Sequence, residues 1–467
     1  MRAKGRSARI RFLGMGADGS FALRPPRAQG PPHEKAVDPA AQRLAPLLDR
    51  MLDYERLRPT ERAWDLTGMR RLLQRSGWCP GARPAVQVAG SKGKGTAASW
   101  LHALVVGGGG RAGLYSSPHL TTLRERIRVG EQWVPIDELA AILERLLALA
   151  GDQPPTFFEA MTAAAVEWFA RRRCDVAIYE VGLGGRHDAT TAIDVDAAIV
   201  TRVELEHTEV LGATIAAIAD EKAQVIRPHG LGLTACTGEA LRIVREHADR
   251  VDAELLVLGE DFALVDGVRA SDGLGGTLRL PDGERRRFWL PGAAMFELPA
   301  FALAAAALAR VAPQWLPPLD PAPRPLLPCR FEVFEEPDGE VLVLDGAHTE
   351  DSLRAVADEL ARRFPGRRPV VLTAAASGKR WREGLSALLP LADDFVVTEL
   401  TGTPGEPAAA IASWLVDNGA RSEVAADASS GLRRLRERPG PRLVVGSFYL
   451  AGAVRRLVAR PDEDHDR

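Results

Sequence analysis

The sequence predicts an α/β protein of two domains, and three observations support this. Strand-like runs such as AVQVAG and DVAIYEVG alternate with helical patterns, which is typical of parallel βαβ units. Prolines are too dense for a helix or central strand between Pro313 and Pro328, which indicates a linker. A second alternation, from EVLVLDGAH to RLVVGSFYLAGAV, follows. We therefore expect a first domain at 39–312, a linker at 313–328 and a second domain at 329–467.

An irregular segment precedes the strands and helices of the first domain. Residues 1–38 mix Gly, Pro and Arg without periodicity, and we expect a disordered extension there. Helical patterns begin near Ala40, and the strand-like runs AVQVAG, RAGLYSS, DVAIYEVG and DAAIVTRV follow, each with a polar loop after it. Open α/β sheets bind ligands at such strand ends. Asp-Gly pairs between Asp261 and Leu290 predict antiparallel hairpins, and an alanine-rich helix comes next.

The composition narrows the function class. Sixty Lys and Arg against 62 Asp and Glu leave a formal charge of −2, so we expect no nucleic-acid or membrane partner. The sequence contains no apolar run of the ~20 residues that would span a bilayer. The four cysteines lack metal-cluster spacing and fit a reducing compartment, so we expect a cytoplasmic protein. An arginine-rich transit peptide is the alternative for the first residues.

A glycine-rich loop, GSKGKGT at Gly90–Thr96, lies between a predicted strand and a predicted helix. In such loops backbone N–H groups and the helix N-terminus converge on phosphate oxygens. The lysine before Gly-Thr is expected to reach the β- and γ-phosphates, and the threonine hydroxyl to bind Mg²⁺. The alternative is a glycine-rich turn on a lysine-bearing surface. The predicted nucleotide-binding residues are Gly90, Ser91, Gly93, Lys94, Gly95 and Thr96.

Two further strand ends carry metal-ligating side chains. Glu180 ends the run DVAIYE, and His207 lies in the loop VELEHTEVLG. With Thr96 they could hold Mg²⁺, although an imidazole ligand is less usual for this ion. The alternative for His207 is an ordinary loop histidine.

Together these stretches resemble the folylpolyglutamate synthase/dihydrofolate synthase family of the Mur ligase superfamily. The segments VAGSKGKGT, GLYSSPHL, TFFE, EVGLGGR, HTEVLG, RFE, DGAH and GSFYL occur in the family's order. The likeness covers roughly residues 40–460. It implies a P-loop ATPase domain with a mostly parallel sheet and a small antiparallel section, followed by a Rossmann-like α/β domain.

The resemblance also implies an activity, an ATP-dependent, ADP-forming amide ligase acting as a monomer on small molecules. ATP would phosphorylate a carboxylate of dihydropteroate or a folate, and L-glutamate would attack the acyl phosphate. It assigns catalysis to Lys94, Lys222 and His348. The resemblance assigns magnesium binding to Thr96, Glu180, His207 and a carbamylated Lys222. From the second domain, Arg330 and Asp345 would reach ATP. Substrate binding falls to Ser117, Pro118, His119, Ser447 and Tyr449.

Several positions depart from the family pattern, and alternatives stay open. The usual asparagine of the loop is replaced by Lys92, and the usual aspartate before His207 by Glu206. Further departures are Ala294, Leu298, Thr349, His187 and Thr191; of these, Leu298 stands where an asparagine approaches adenine. One alternative is a ligase for another carboxylate and amine, and a second is a non-catalytic nucleotide-binding homologue. A P-loop hydrolase or kinase is disfavoured by the whole second α/β domain. The Thr156–Glu159 capping box needs only a structural role.

Overall fold

The computed structural model describes residues 39–51, 65–270 and 272–459. The predicted extension 1–38 lies outside the described residues. Within those ranges no helix is both long enough and apolar enough to cross a membrane.

Helices and strands alternate along the described chain. The helices are α1 (Pro39–Leu48), α2 (Thr67–Ser76), α3 (Lys94–Gly107), α4 (Ile136–Ala150), α5 (Phe157–Arg171), α6 (Thr208–Leu211), α7 (Ile215–Ala223), α8 (Gly238–Arg250), α9 (Leu298–Val311), α10 (Glu350–Arg363), α11 (Trp381–Ser386), α12 (Ala408–Asp417), α13 (Ala428–Arg436) and α14 (Phe448–Val458). The strands are β1 (Ala85–Ala89), β2 (Ala112–Tyr115), β3 (Ile127–Val129), β4 (Gln132–Trp133), β5 (Val176–Glu180), β6 (Ala197–Val200), β7 (Leu231–Thr234), β8 (Glu254–Val257), β9 (Ala263–Ala270), β10 (Gly273–Arg279), β11 (Arg285–Pro291), β12 (Glu332–Glu335), β13 (Val341–Leu344), β14 (Val370–Thr373), β15 (Asp394–Val397), β16 (Arg421–Val424) and β17 (Arg442–Val445).

The first sheet has eight strands in the order β4-β3-β2-β5-β1-β6-β7-β8. Neighbouring strands pair in parallel along the series β2, β5, β1, β6, β7 and β8. Strands β3 and β4 add an antiparallel edge next to β2. Every residue of β1 and β5 is buried, as expected for parallel strands covered by helices on both faces. The predicted α/β class is confirmed. Because their carboxyl ends share one edge, β1, β2, β5 and β6 bring four polar loops together.

The small antiparallel sheet has the order β11-β10-β9. Asp282-Gly283 lies between β10 and β11, as the hairpin prediction requires. The expectation of a turn at Asp266-Gly267 was wrong, because this pair lies inside β9. Asp266 has a φ of 54°, and the pairing register shifts opposite it, near Gly276, so the pair forms a β-bulge.

The proline-rich linker is packed against the first domain. Leu319, Ala322 and Leu327 are buried. The Trp289 N–H donates to the Leu319 carbonyl, and the Ala322 N–H donates to the Trp289 carbonyl, both at 2.9 Å. The middle of the linker is therefore fixed to β11 at Trp289.

The second domain holds a six-stranded sheet in the order β12-β13-β17-β14-β15-β16, parallel except for β12. Its helix α10 binds the first domain. Arg362 Nη1 donates to the Ala270 carbonyl at 2.6 Å, Arg363 Nη2 donates to the Gly292 carbonyl at 2.9 Å, and the Met295 N–H donates to Glu359 Oε2 at 3.2 Å. These contacts bring the strand ends of both sheets to one cleft.

Candidate active site

The glycine-rich loop joins β1 to α3, and the end of β6 fixes its shape. The Ser91 N–H donates to the Arg202 carbonyl at 2.6 Å, and Thr201 Oγ1 donates to the Lys92 carbonyl at 2.7 Å. A Cβ on Gly90 would lie 1.9 Å from Thr201 Oγ1, so only glycine fits there. Gly93 has a φ of 85° and is the N-cap of α3. The loop thus has the rigid, amide-rich form of a phosphate site.

Two lysine ammonium groups converge on one carbonyl of this loop. Gly90 O accepts from Lys94 Nζ at 2.7 Å and from Lys222 Nζ at 3.0 Å. Lys222 also forms an ion pair of 3.0 Å with Glu206 Oε1. Its side chain is fully buried, so Lys222 is not a solvated helical lysine. Burial, and then the charge of Lys94, lower the pKa of Lys222 to about 8, against the opposing effect of Glu206.

Glu180 and Arg330 meet beside the loop from different domains. A Cβ on Gly95 would lie 2.6 Å from Arg330 Nη2 and 3.1 Å from Glu180 Oε1. Glu180 Oε2 accepts from the Ser117 N–H at 3.2 Å. Burial raises the pKa of Glu180, which Arg330 and Lys94 oppose. The structure therefore brings together one carboxylate, one guanidinium and the first turn of α3, where Thr96 is buried.

The oxygen donors of this group fit magnesium. Glu180 and Thr96 are both at the loop, and Mg²⁺ prefers carboxylate and hydroxyl oxygen. Among the described residues, no three His, Cys, Asp or Glu side chains form a group that could hold a metal. The predicted set contains only Glu180 and His207 of these types, and His207 is exposed, with a φ of 46°. The full magnesium set, with His207 and Lys222, stays a prediction.

The loop after β13 in the second domain is held by its own hydrogen bonds. Asp345 is buried and accepts from the Phe331 and Ala347 N–H groups, each at 2.7 Å. Burial raises the pKa of Asp345 to about 6, although these amides oppose it. His348 Nδ1 donates to the Gly346 carbonyl at 2.9 Å, which leaves Nε2 as an acceptor. Burial, and then the charge of Lys92, lower the pKa of His348 to about 4, so its imidazole is neutral.

The predicted substrate residues are placed differently from one another. Ser117, Pro118 and Tyr449 line one cavity of about 830 Å³, which His207 also borders. His119 does not line it; its Nδ1 accepts from Arg126 Nε at 3.0 Å. The Ser447 hydroxyl is the N-cap of α14 and accepts from the Tyr449 N–H at 3.1 Å. Its role toward substrate stays a prediction, whereas its capping role is shown.

The departures from the family pattern have structural roles here. Ala294 is buried in the core of the second domain, and Leu298 packs against the core of the first. Thr191 Oγ1 donates to the Gly185 carbonyl at 2.6 Å and supports the loop after β5. The Thr349 hydroxyl caps α10.

Sequence reasoning missed one cation of the cleft. Lys379 lies in the loop after β14, and its charge lowers the pKa values of Lys92 and His348 after the larger effect of burial. The position of Lys379 in the sequence could have indicated it, because Lys379 follows a predicted strand of the second domain, as Asp345 and Ser447 do.

Part of the chain matches a known protein family, and longer stretches match individual proteins. A family model named Mur ligase, glutamate ligase domain, matches residues 329–446. With the nucleotide loop of the first domain, this places the chain among the Mur ligase-like proteins.

The relatives are more specific. The chain is 34% identical over 408 residues to a probable bifunctional folylpolyglutamate synthase/dihydropteroate synthase of Haloferax volcanii, which covers 83% of the chain and 47% of that relative. It is 31% identical to the dihydrofolate synthase/folylpolyglutamate synthase of Mycobacterium tuberculosis, over 92% of the chain and 98% of the relative. A crystal structure of the M. tuberculosis folylpolyglutamate synthase complexed with ADP and AMPPCP aligns with a TM-score of 0.79 and 26% identity, over 90% of this chain and 98% of that one.

The chain belongs to the folylpolyglutamate synthase/dihydrofolate synthase family. It spans less than half the length of the Haloferax relative.

Proposed function

We propose that this chain is an ATP-dependent ligase that joins L-glutamate to dihydropteroate or a folate. The observation that carries the proposal is the meeting of Arg330 and Glu180 beside Gly95, because it joins both domains at the phosphate loop. The family membership and the nucleotide complexes of the M. tuberculosis neighbour support the same reading. One chain supplies both halves of the site, so we expect a monomer to be sufficient.

The first step would be phosphoryl transfer. A carboxylate oxygen of the acid attacks the γ-phosphorus of ATP, the bond to the β-phosphate oxygen breaks, and ADP leaves. The loop amides and Lys94 would bind the phosphates, and Arg330 would neutralise charge from the second domain. Thr96 and Glu180 would hold Mg²⁺, which supplies further neutralisation when bound.

The second step would be amide formation. The neutral amine of glutamate attacks the acyl carbon, the carbon–oxygen bond to phosphate breaks, and the departing phosphate takes up the proton that the amine loses. His348 is neutral with Nε2 as an acceptor, so it would orient the amine through a hydrogen bond. A carbonyl already holds the other ring nitrogen in place. Closure of the cleft would keep water from the acyl phosphate.

Lys222 is the proposed site of a carbamate, as the resemblance implies. Its buried amine is close to Glu206 and Gly90 O, so a carbamate there would place oxygen ligands next to the loop. The measurement is ¹³C NMR of the protein under ¹³CO₂, with Lys222→Ala as the control. A carbamate resonance present in both proteins would remove Lys222 from this role.

The activity is tested by ADP release with ATP, Mg²⁺ and glutamate, with and without 7,8-dihydropteroate or tetrahydrofolate. We expect ADP formation that depends on both the pterin acid and glutamate. Lys94→Ala is the blank, and Lys92→Ala is the matched lysine control in the same loop. Bound nucleotide without turnover on either acid would overturn the folate assignment and favour another carboxylate and amine.

A further inference from the structure

Two cavities flank the loop that follows β2. The larger, of about 830 Å³, is bordered by α2 and α5. The smaller, of about 70 Å³, lies at the interface between the domains and is lined by Gly95, Ser99, Ser116, Arg128, Glu180 and Arg330. Ser117 and Pro118 line both cavities, so the two approach one point beside Glu180 from different sides.

Arg128 in the wall of the smaller cavity is a buried cation without an ion-pair partner among the described residues. Arg128 is 9% exposed, and its Nη2 lies 3.3 Å from His102 Nδ1. Within the part of the chain that the structure describes, its Nε has no hydrogen-bond partner. Among the described residues no carboxylate forms an ion pair with it, although the charge of Glu131 acts on it from a distance. A buried guanidinium without a counter-ion is energetically unfavourable, so a ligand that supplies an anion would be stabilised there.

The neighbouring histidine, His102, does not offset the charge of Arg128. Burial, and then the charge of Arg128, hold the pKa of His102 well below its usual value, so the imidazole is neutral. Its Nδ1 accepts from Arg128, and therefore its proton is on Nε2. The Arg128–His102 pair thus keeps a full positive charge.

We propose that this smaller cavity receives a carboxylate of the incoming amino acid, with Arg128 as its ion-pair partner. The inference rests on the proposed ligase function. A ligase must bring its acid and its amine to one point from two directions, and these two cavities do so. The larger cavity has room for a pterin acid, whereas the smaller has room only for a small polar group.

His102→Glu is the sharpest test, because a carboxylate at this position would pair with Arg128 and compete with the ligand. We expect the KM for glutamate to rise about tenfold or more, while the KM for ATP stays within about twofold. The melting temperature should rise, since the buried charge gains a partner. Arg128→Gln should raise the same KM without lowering the melting temperature, because it removes a buried charge that has no ion-pair partner. Glu131→Gln, which removes only the distant surface charge, is the matched control and should change neither KM.

A raised melting temperature with an unchanged glutamate KM in His102→Glu would overturn the inference and leave the ligase function intact. If the unaltered protein forms no glutamate-dependent ADP, the proposed function fails, and the site is then decided by thermal shift with glutamate alone. A shift that His102→Glu abolishes supports the site. An equal shift with chloride or inorganic phosphate means an adventitious ion only and overturns it.

Discussion

The strand-end loops of the two domains use their polar groups differently. In the first domain, Lys94 and Lys222 share the Gly90 carbonyl, and Lys94 has no ion pair with a carboxylate among the described residues, whereas Lys222 pairs with Glu206. In the second, both oxygens of Asp345 bind backbone amides, and the Ser447 hydroxyl caps a helix. The first loop therefore has charge available for a ligand, whereas the second uses its polar groups to hold its own shape.

This difference predicts which substitutions should lower activity and which should lower stability. A substitution in the first loop should remove a ligand contact while the fold survives. A substitution in the second should first damage the fold. Measurements of activity and of stability on the same variants test the distinction.

Lys94→Ala should have the largest effect on activity. We expect kcat to fall about 10²- to 10³-fold, since one charged donor to the transferred phosphoryl group is lost. Stability should hardly change, because Gly90 O keeps its bond from Lys222. The checks are ADP release and urea unfolding. A large loss of stability would show that the lysine shapes the loop.

Asp345→Ala should have the largest effect on stability. Two buried amides lose their acceptor, and each costs about 1–3 kcal/mol when unsatisfied. Asp345→Asn keeps one acceptor oxygen and should be less damaging. Urea unfolding of the three proteins measures the series. Unchanged stability in Asp345→Ala, together with weaker ATP binding, would instead make Asp345 a ligand group as the resemblance implies.

His348 should make stability depend on pH. Its pKa is about 4 in the folded protein against the usual 6.5, so the unfolded chain binds the proton more readily. Stability should therefore be complete above pH 6.5 and fall as the pH drops through that value toward 4. His348→Gln should flatten this part of the profile in urea unfolding. An identical slope in the variant would contradict the assignment to His348.

Ser447→Ala should have the smallest effect. Loss of the α14 cap should lower the free energy of unfolding by about 1 kcal/mol. Because the hydroxyl is engaged as a cap, we expect the KM for glutamate to change less than about twofold. A much larger rise in that KM would assign Ser447 to the substrate. Ser429→Ala, in a neighbouring helix without a capping role, is the control.

Local pattern predicted the fold and the first-domain loop well. The strand–glycine loop–helix order around Lys94 depends on residues next to each other in the chain, and the structure has it. Asp266-Gly267 was predicted wrongly, because the pairing of β9 with β10 converts a usual turn pair into a bulge. Tertiary packing outweighed local preference there.

The burial of side chains could not be predicted from spacing. Alone, Lys222 has the pattern of a solvated helical lysine, yet β1 and its loop cover it. The Arg128–His102 pair joins β3 to α3, and nothing in the local sequence indicates that these side chains meet. Such contacts depend on strand order, which short motifs do not specify.

The packed linker restricts where the two domains can turn relative to each other. The linker is hydrogen-bonded to the first domain at Leu319 and Ala322, and Leu327 is buried, so a rotation of the second domain would begin beyond this segment. Arg330 lies close to that pivot and would move only slightly. Lys379 lies farther along the second domain and would travel much more. The arginine would therefore stay at the phosphate loop through an opening and closing cycle, while the far wall of the cleft admits and releases the small molecules.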